Sequence, residues 1–145
     1  MTLKGVSLAA TALLVVAVLT LLARHALFAK TPVAIALQVL AGALMLWARL
    51  TFGARSFHAG ANPTAGGVVM TGPYRFVRHP IYAAILYALW AAVLSRPTVV
   101  NASLVALASA MVAVRIAAEE RLLLDRYPEY AAYAARTKRV IPFVV

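Results

Sequence analysis

The chain has 145 residues, of which 64% are hydrophobic and only 12% are charged, and its mean hydropathy is +0.88. Soluble domains usually carry about a quarter charged residues, so this composition favours a membrane protein. The absence of cysteine excludes disulfides, thiolate metal sites and thiol catalysis. The net charge is +10, and the basic residues lie beside apolar segments. This arrangement suits binding to a membrane surface better than binding to a nucleic acid.

Four apolar segments predict membrane-spanning helices, at 5–23, 33–50, 81–94 and 98–114. A helix needs roughly 20 apolar residues to cross a bilayer, so the third segment is short for a span. Only Ser95, Arg96 and Pro97 connect it to the fourth segment, and this predicts an antiparallel helical hairpin. The first segment follows Lys4 and has a second interpretation as a signal peptide, although its length favours an uncleaved span.

The predicted fold is therefore all-α: a single integral membrane domain over 1–145, with two N-terminal spans in 1–52 and a functional core in 53–145. If both termini lie in the cytoplasm, only three of the 14 basic residues lie outside, namely Arg24, Lys30 and Arg96. The predicted topology is therefore multi-pass, with both termini and the functional core facing the cytoplasm.

The tail after the fourth segment predicts a surface helix from about Glu119 to Lys138, interrupted near Pro128. Its tyrosines recur at three-residue spacing, at Tyr127, Tyr130 and Tyr133. Such a spacing suits an aromatic face at the membrane interface, so we expect an amphipathic tail.

Two polar clusters flank the predicted hairpin. The first, at 72–82, reads Gly-Pro-Tyr-Arg-Phe-Val-Arg-His-Pro-Ile-Tyr, and the second, at 115–120, reads Arg-Ile-Ala-Ala-Glu-Glu. Because the hairpin brings its two open ends together, we expect the clusters to meet. A carboxylate such as Glu119 can bind an ammonium group, and the rings of Tyr74 and Tyr82 can bind a cation such as a sulfonium. Arg115 would be costly at membrane depth without a partner or an anionic ligand.

Structural interpretations of the same residues stay open. Arg75 and Arg78 suit juxtamembrane anchors that set topology, and Arg115 with Glu119 suits an ion pair within one helix face. His79 followed by Pro80 suits a helix start. The three histidines lie far apart in the sequence, so no metal site is predicted.

The motif at 72–82, the Glu-Glu pair at 119–120, the Tyr-Pro-Glu-Tyr-Ala-Ala-Tyr at 127–133 and the Arg-Val-Ile-Pro-Phe at 139–143 occur in this order. Together they closely resemble the isoprenylcysteine carboxyl methyltransferase family, and the related phospholipid N-methyltransferases share much of the pattern. The resemblance covers about residues 55–145. It implies a helical membrane fold that binds S-adenosylmethionine as methyl donor.

The resemblance also assigns site residues. It implies donor contacts at Gly66, Gly67, Val68, Val69, Tyr74, His79, Pro80, Ile81, Tyr82, Glu119 and Glu120. It implies catalytic roles for His79, Arg115 and Glu119, with Arg115 also binding the carboxylate of the substrate.

The scarcity of candidate bases favours carboxyl O-methylation, and the resemblance implies a lipophilic, isoprenylcysteine-like acceptor in the bilayer. A carboxylate is already ionised at neutral pH and needs no general base, whereas an amine must first lose a proton, to Glu120 or His79. N-methylation of a phospholipid or another amine therefore stays the alternative. Two further hypotheses are a nicotinamide-dependent membrane reductase and a non-enzymatic subunit of a membrane complex.

Overall fold

The computed structural model describes residues 2–53 and 67–142, and its regular elements are helical. The α-helices are α1 (Leu3–Ala23), α2 (Pro32–Phe52), α3 (Pro80–Ser95), α4 (Val99–Arg126) and α5 (Tyr130–Arg136), and a 3-10 turn (Gly72–Arg75) precedes α3. The all-α prediction is confirmed for these parts of the chain, where the one β-type pairing is an isolated bridge between Val77 and Lys138.

Three of the helices, α1, α2 and α4, are long and apolar enough to cross a membrane. The fourth apolar helix, α3, has 16 residues, which at about 1.5 Å per residue gives roughly 24 Å. That is less than the ~30 Å hydrocarbon layer. The four predicted segments are thus all helical, but three rather than four have spanning length.

Local sequence explains where these helices begin. The side chain of Thr2 accepts a hydrogen bond from the Gly5 amide, and that of Thr98 accepts one from the Asn101 amide, so both threonines cap a helix N-terminus. Pro32 and Pro80 occupy the first positions of α2 and α3, where a missing N–H costs nothing.

The four apolar helices form a row in the order α1, α4, α3, α2. The contact of α1 with α4 includes larger apolar side chains, namely Leu14, Leu21, Val105 and Val112, beside the alanines Ala17 and Ala108. The buried face of α2 instead consists of alanines seven residues apart, at Ala34, Ala41 and Ala48. Small side chains let membrane helices approach closely, so α2 packs tightly against α3 although it lies at the edge of the row.

The two ends of this bundle carry different side chains. The site end is where α3 begins and α4 ends, and the far end is where α1 ends, α2 begins and α3 turns into α4. With 28 residues, α4 is longer than the other helices listed above, and its last turns carry Glu119 and Glu120 at the site end. There the chain turns at Tyr127 and returns through α5.

The tail packs inward, which corrects the expectation of an interfacial aromatic face. Tyr130 and Tyr133 are 2% and 4% exposed, and their rings meet edge to face at 5.8 Å. The Tyr133 hydroxyl donates to the Tyr74 carbonyl at 2.5 Å. Since the 3-10 turn provides this buried acceptor, the tyrosines serve to fix α5 against the site end.

Candidate functional site

The first pair of elements to meet at the site end is α3 with α4. The Tyr82 hydroxyl donates to Glu119 Oε1, and Arg115 Nε donates to that hydroxyl at 2.8 Å. Arg115 Nη2 donates to the same Glu119 oxygen at 3.2 Å. Arg115 is only 5% exposed, so its charge at this depth is compensated by Glu119 on the next turn. The two clusters that the hairpin predicts to meet are therefore in contact.

His79 lies between two carboxylates. Its Nε2 is 3.3 Å from Glu120 Oε1, and its Nδ1 is 3.9 Å from Glu119 Oε2. The residue is 7% exposed and immediately precedes Pro80, the first residue of α3. A residue before proline is held in extended conformations, so the His79-Pro80 pair both starts the helix and directs the imidazole toward α4.

Glu120 forms ion pairs with two arginines of the site. Its Oε1 accepts from Arg78 Nε at 2.8 Å, and its Oε2 accepts from Arg139 Nε at 3.0 Å. The Arg78 side chain, 9% exposed, also donates to the carbonyls of Ala134 and Thr137. Arg78 therefore forms ion-pair and backbone contacts inside the protein, which the interpretation as a juxtamembrane topology anchor did not include. A buried guanidinium connects α4 to the tail, and only its place beside His79 in the sequence could have suggested this.

The segment after α5 ties the tail to the start of α3. The backbone amides of Arg78 and His79 donate to the carbonyls of Lys138 and Arg139, at 2.7 and 2.9 Å. The Tyr87 hydroxyl donates to the Val140 carbonyl at 2.6 Å. These bonds fix the backbone on which the imidazole is mounted, so the tail is part of the site.

Tyr74 lies in the 3-10 turn before α3, at the site end of the bundle. Its side chain is 5% exposed, its ring lies 5.5 Å from that of Phe52, and its hydroxyl has no hydrogen-bond partner in the described part of the chain. Burial raises the pKa of the phenol, and the neighbouring Tyr133 adds to the increase. The hydroxyl therefore stays protonated, as a buried donor.

Among the other predicted donor contacts, Pro80 is buried and Ile81 half-buried in the first turn of α3. Gly67, Val68 and Val69 are half-buried without regular structure, and within residues 67–142 they make no hydrogen bond to the cluster. Gly66 lies outside the described residues. The structure thus brings His79, Tyr82, Arg115, Glu119 and Glu120 into contact. It places Tyr74 in the turn before α3, and no hydrogen bond in the described residues joins Tyr74 or Gly67–Val69 to the other five.

The side chains of the site suit binding of a charged organic group. In residues 2–53 and 67–142 no group of three His, Asp or Glu side chains has an arrangement that could hold a metal ion. Glu119, with a side chain 21% exposed against 10% for Glu120, is the more accessible carboxylate. It lies beside the His79 imidazole and the Tyr82 hydroxyl, and a carboxylate next to aromatic rings suits a ligand that carries an ammonium and a second cation.

Comparisons with known proteins give one family and two relatives. Residues 31–125 match the isoprenylcysteine carboxyl methyltransferase (ICMT) family. Methanethiol S-methyltransferase 1 of Bradyrhizobium diazoefficiens is 39% identical over 71 residues, which are 48% of this chain and 24% of that protein. The cobalt-zinc-cadmium resistance protein CzcN of Cupriavidus metallidurans is 34% identical over 76 residues, 52% of this chain and 35% of that protein.

The similarity therefore spans about a quarter to a third of the length of these curated relatives. No solved structure matches the chain with significance. The family match includes both polar clusters of the site and the hairpin that joins them.

Proposed function

The chain belongs to the isoprenylcysteine carboxyl methyltransferase family, and on this premise we propose that it is an S-adenosylmethionine-dependent membrane methyltransferase. The acceptor that we propose is the carboxylate of a lipophilic, isoprenylcysteine-like molecule. The single observation that carries the proposal is the contact of Tyr82 with Arg115 and Glu119, beside His79 and at one end of an apolar helical bundle.

The donor half of the proposal depends on Glu119. S-adenosylmethionine supplies an activated methyl group on a sulfonium, together with an amino-acid moiety that bears an ammonium. Glu119 would accept from this ammonium, because it is the less enclosed of the two adjacent carboxylates. Tyr74 would donate from its buried hydroxyl, whose lack of a protein partner in the described region fits a ligand contact.

The acceptor half depends on Arg115. Its guanidinium has five N–H groups, so it can bind Glu119 and still attract a second carboxylate. The acceptor carboxylate is ionised at neutral pH, and the residues therefore need only to position it and to exclude water. Burial of Arg115 strengthens its attraction for a negative charge, since the surroundings screen it less than water does.

A groove on the lipid-facing side supports a lipophilic acceptor. It has a volume of 450 Å³ and lies between α2 and α3. Its wall includes Leu37, Leu40, Leu44, Tyr87, Trp90 and Leu94. Tyr87, about two turns along α3 from His79, also bonds to the Val140 carbonyl of the tail. The groove extends from Tyr87 toward the far end, where a hydrocarbon chain attached to a headgroup at the site end would lie.

We also propose that the site end faces the cytoplasm, because Arg24, Lys30 and Arg96 all lie at the far end while most basic residues lie elsewhere. The chain has no cysteine, so single-cysteine variants report topology without background. Lys30→Cys should react with a membrane-impermeant maleimide in intact cells, and Lys138→Cys only after permeabilisation. The reverse pattern would contradict the orientation.

The test of the function is methyl transfer from radiolabelled S-adenosylmethionine in membranes that contain the protein. The expected product is a lipid-soluble label that mild base releases, since an ester hydrolyses and an N-methyl or thioether bond does not. Membranes with Arg115→Gln provide the matched background. No label above that background would overturn the proposal.

A thiol acceptor is the second candidate, because one relative carries the name methanethiol S-methyltransferase. A thiol must lose its proton before it attacks, and His79 would be the residue to receive it. The same assay separates the two candidates: a base-stable label in a thioether supports the thiol, and a base-labile label supports the carboxylate.

A further inference from the structure

The adjacent carboxylates Glu119 and Glu120 have different surroundings, and the difference assigns them different tasks. We propose that Glu120 is a positioning residue that holds the proton of His79 on Nε2, so that Nδ1 and Glu119 together accept from the ammonium of the methyl donor. This inference rests on the proposed use of S-adenosylmethionine and adds the role of a residue that does not itself touch the ligand.

Both carboxylate oxygens of Glu120 already have partners within the protein. Arg78 and Arg139 donate to its two oxygens at 2.8 and 3.0 Å, and its side chain is 10% exposed. Two guanidinium groups at this distance keep the carboxylate ionised. Neighbouring residues on a helix point about 100° apart, so Glu119 is directed toward Tyr82 and Arg115 while Glu120 is directed toward the tail.

An ionised carboxylate only accepts hydrogen bonds. The contact of 3.3 Å between His79 Nε2 and Glu120 Oε1 is therefore a hydrogen bond only when Nε2 carries the proton. The tail fixes this arrangement from the other side, because the His79 amide donates to the Arg139 carbonyl at 2.9 Å. The same arginine thus holds the imidazole through its backbone and Glu120 through its side chain.

The second ring nitrogen, Nδ1, makes no hydrogen bond to Glu119, because its distance of 3.9 Å to Oε2 is too long for one. The proposal therefore assigns Nδ1 the part of an acceptor, with its lone pair facing Glu119.

Two acceptors now face each other, since His79 Nδ1 and Glu119 Oε2 are 3.9 Å apart. Neither can donate to the other, and Glu119 Oε1 is used by Tyr82 and Arg115. A single donor nitrogen can reach both at about 2.9 Å each. An ammonium, which has three donors and a positive charge, is the chemical group that satisfies both acceptors together.

The first experiment measures the tautomer without any ligand. In detergent-solubilised protein with 15N-labelled histidine, the imidazole 15N shifts of His79 should show a proton on Nε2 and an acceptor at Nδ1. The signals are assigned by their loss in His79→Gln, which removes one of three histidines. In Glu120→Met the carboxylate is absent, including Oε1, the oxygen that contacts both Arg78 and His79. The proton should then no longer be held on Nε2, and a fraction of the protein with the proton on Nδ1 should appear.

Any other state of His79 in the unsubstituted protein, whether a proton on Nδ1 alone or a doubly protonated ring, overturns the proposal. This result is decisive even if Glu120→Met does not fold. An unchanged tautomer in a folded Glu120→Met variant overturns it as well.

The second experiment compares two ligands by calorimetry: S-adenosylhomocysteine and its deaminated analogue, which lacks the ammonium. Glu120→Met should weaken S-adenosylhomocysteine about tenfold and leave the affinity of the deaminated analogue unchanged. An equal loss for both ligands would show that Glu120 only stabilises the site and would overturn the positioning role. Failure of the unsubstituted protein to bind S-adenosylhomocysteine would instead overturn the proposed function, whereas the tautomer measurement stands by itself.

Discussion

The far end and the site end of the bundle satisfy buried polar groups by different means. At the far end, Arg96 donates to the His25 carbonyl at 2.8 Å, and Asn101 accepts from Arg24 at 3.2 Å while donating to the Arg96 carbonyl at 2.9 Å. Gln38 adds bonds to loop and helix backbone. These contacts join cations and amides to one another or to the backbone, without a carboxylate.

At the site end the partners are charged side chains. Every acidic residue of the chain lies between Glu119 and Glu129, and the first two form ion pairs with three arginines. In addition, the Tyr74 hydroxyl has no partner in the described residues, and two acceptors of His79 and Glu119 face each other. The polar contacts of the far end therefore serve to hold the helices together, whereas those of the site end are typical of a binding site.

Arg78→Met gives the largest expected effect at the site end. It removes a buried partner of Glu120 and leaves the carbonyls of Ala134 and Thr137 without their donor. We expect a loss of about 3–5 kcal/mol in stability, because breaking a buried ion pair leaves an uncompensated charge. Thermal unfolding in detergent is the measurement. Arg75→Met, an exposed arginine three residues earlier, should cost less than about 0.5 kcal/mol, and equal losses would contradict the account.

Gln38→Leu tests the far end. The Gln38 amide accepts from the Ala29 N–H at 2.8 Å and donates to the carbonyls of Leu27 and Ala88 at 2.9 and 3.0 Å. Loss of these bonds should cost about 2 kcal/mol without a change in affinity for S-adenosylhomocysteine. A variant that kept its stability but lost ligand binding would break the distinction between the two ends.

Gly72→Ala tests how tightly the turn before α3 is fitted. Gly72 has a φ of +55°, and a Cβ there would lie 2.6 Å from Thr51 Oγ1 of α2. The conformation alone costs about 1–2 kcal/mol for a residue other than glycine. We expect unfolding at lower temperature, partly reversed by adding Thr51→Ala.

Gly42→Ala is the matched control, since a Cβ at that helical position meets nothing within 4 Å. It should be neutral or slightly stabilising, by up to about 1 kcal/mol. If Gly72→Ala behaved like Gly42→Ala, the close approach of the turn to α2 would be wrong.

The sequence predicts the apolar part of the fold well because hydropathy marks a helix directly. The segments predicted at 5–23 and 81–94 correspond to α1 (Leu3–Ala23) and α3 (Pro80–Ser95) within two residues. The three-residue connection after α3 also predicts that His79 and Glu119 meet, since a hairpin leaves its open ends side by side. A contact that follows from a short connection between two helices can therefore be predicted from the sequence.

The packing order and the tail could not be inferred in this way. Nothing in the hydropathy of α1 indicates that it packs on α4 rather than on α2, because all apolar helix faces look alike in sequence. Tyr133 has the spacing of an interfacial residue, yet it is buried by its bond to the Tyr74 carbonyl. Arg78 likewise reads as a surface cation, since a buried partner forty-two positions away leaves no local pattern.

The most direct test of the central claim is a calorimetric titration of S-adenosylhomocysteine into the unsubstituted protein, Glu119→Gln and Gln38→Leu in the same detergent. The account predicts one-site binding, an affinity about 100-fold lower in Glu119→Gln, corresponding to about 3 kcal/mol of charge-assisted hydrogen bonding, and an unchanged affinity in Gln38→Leu. Absence of binding to the unsubstituted protein, or an equal loss in both variants, would contradict it.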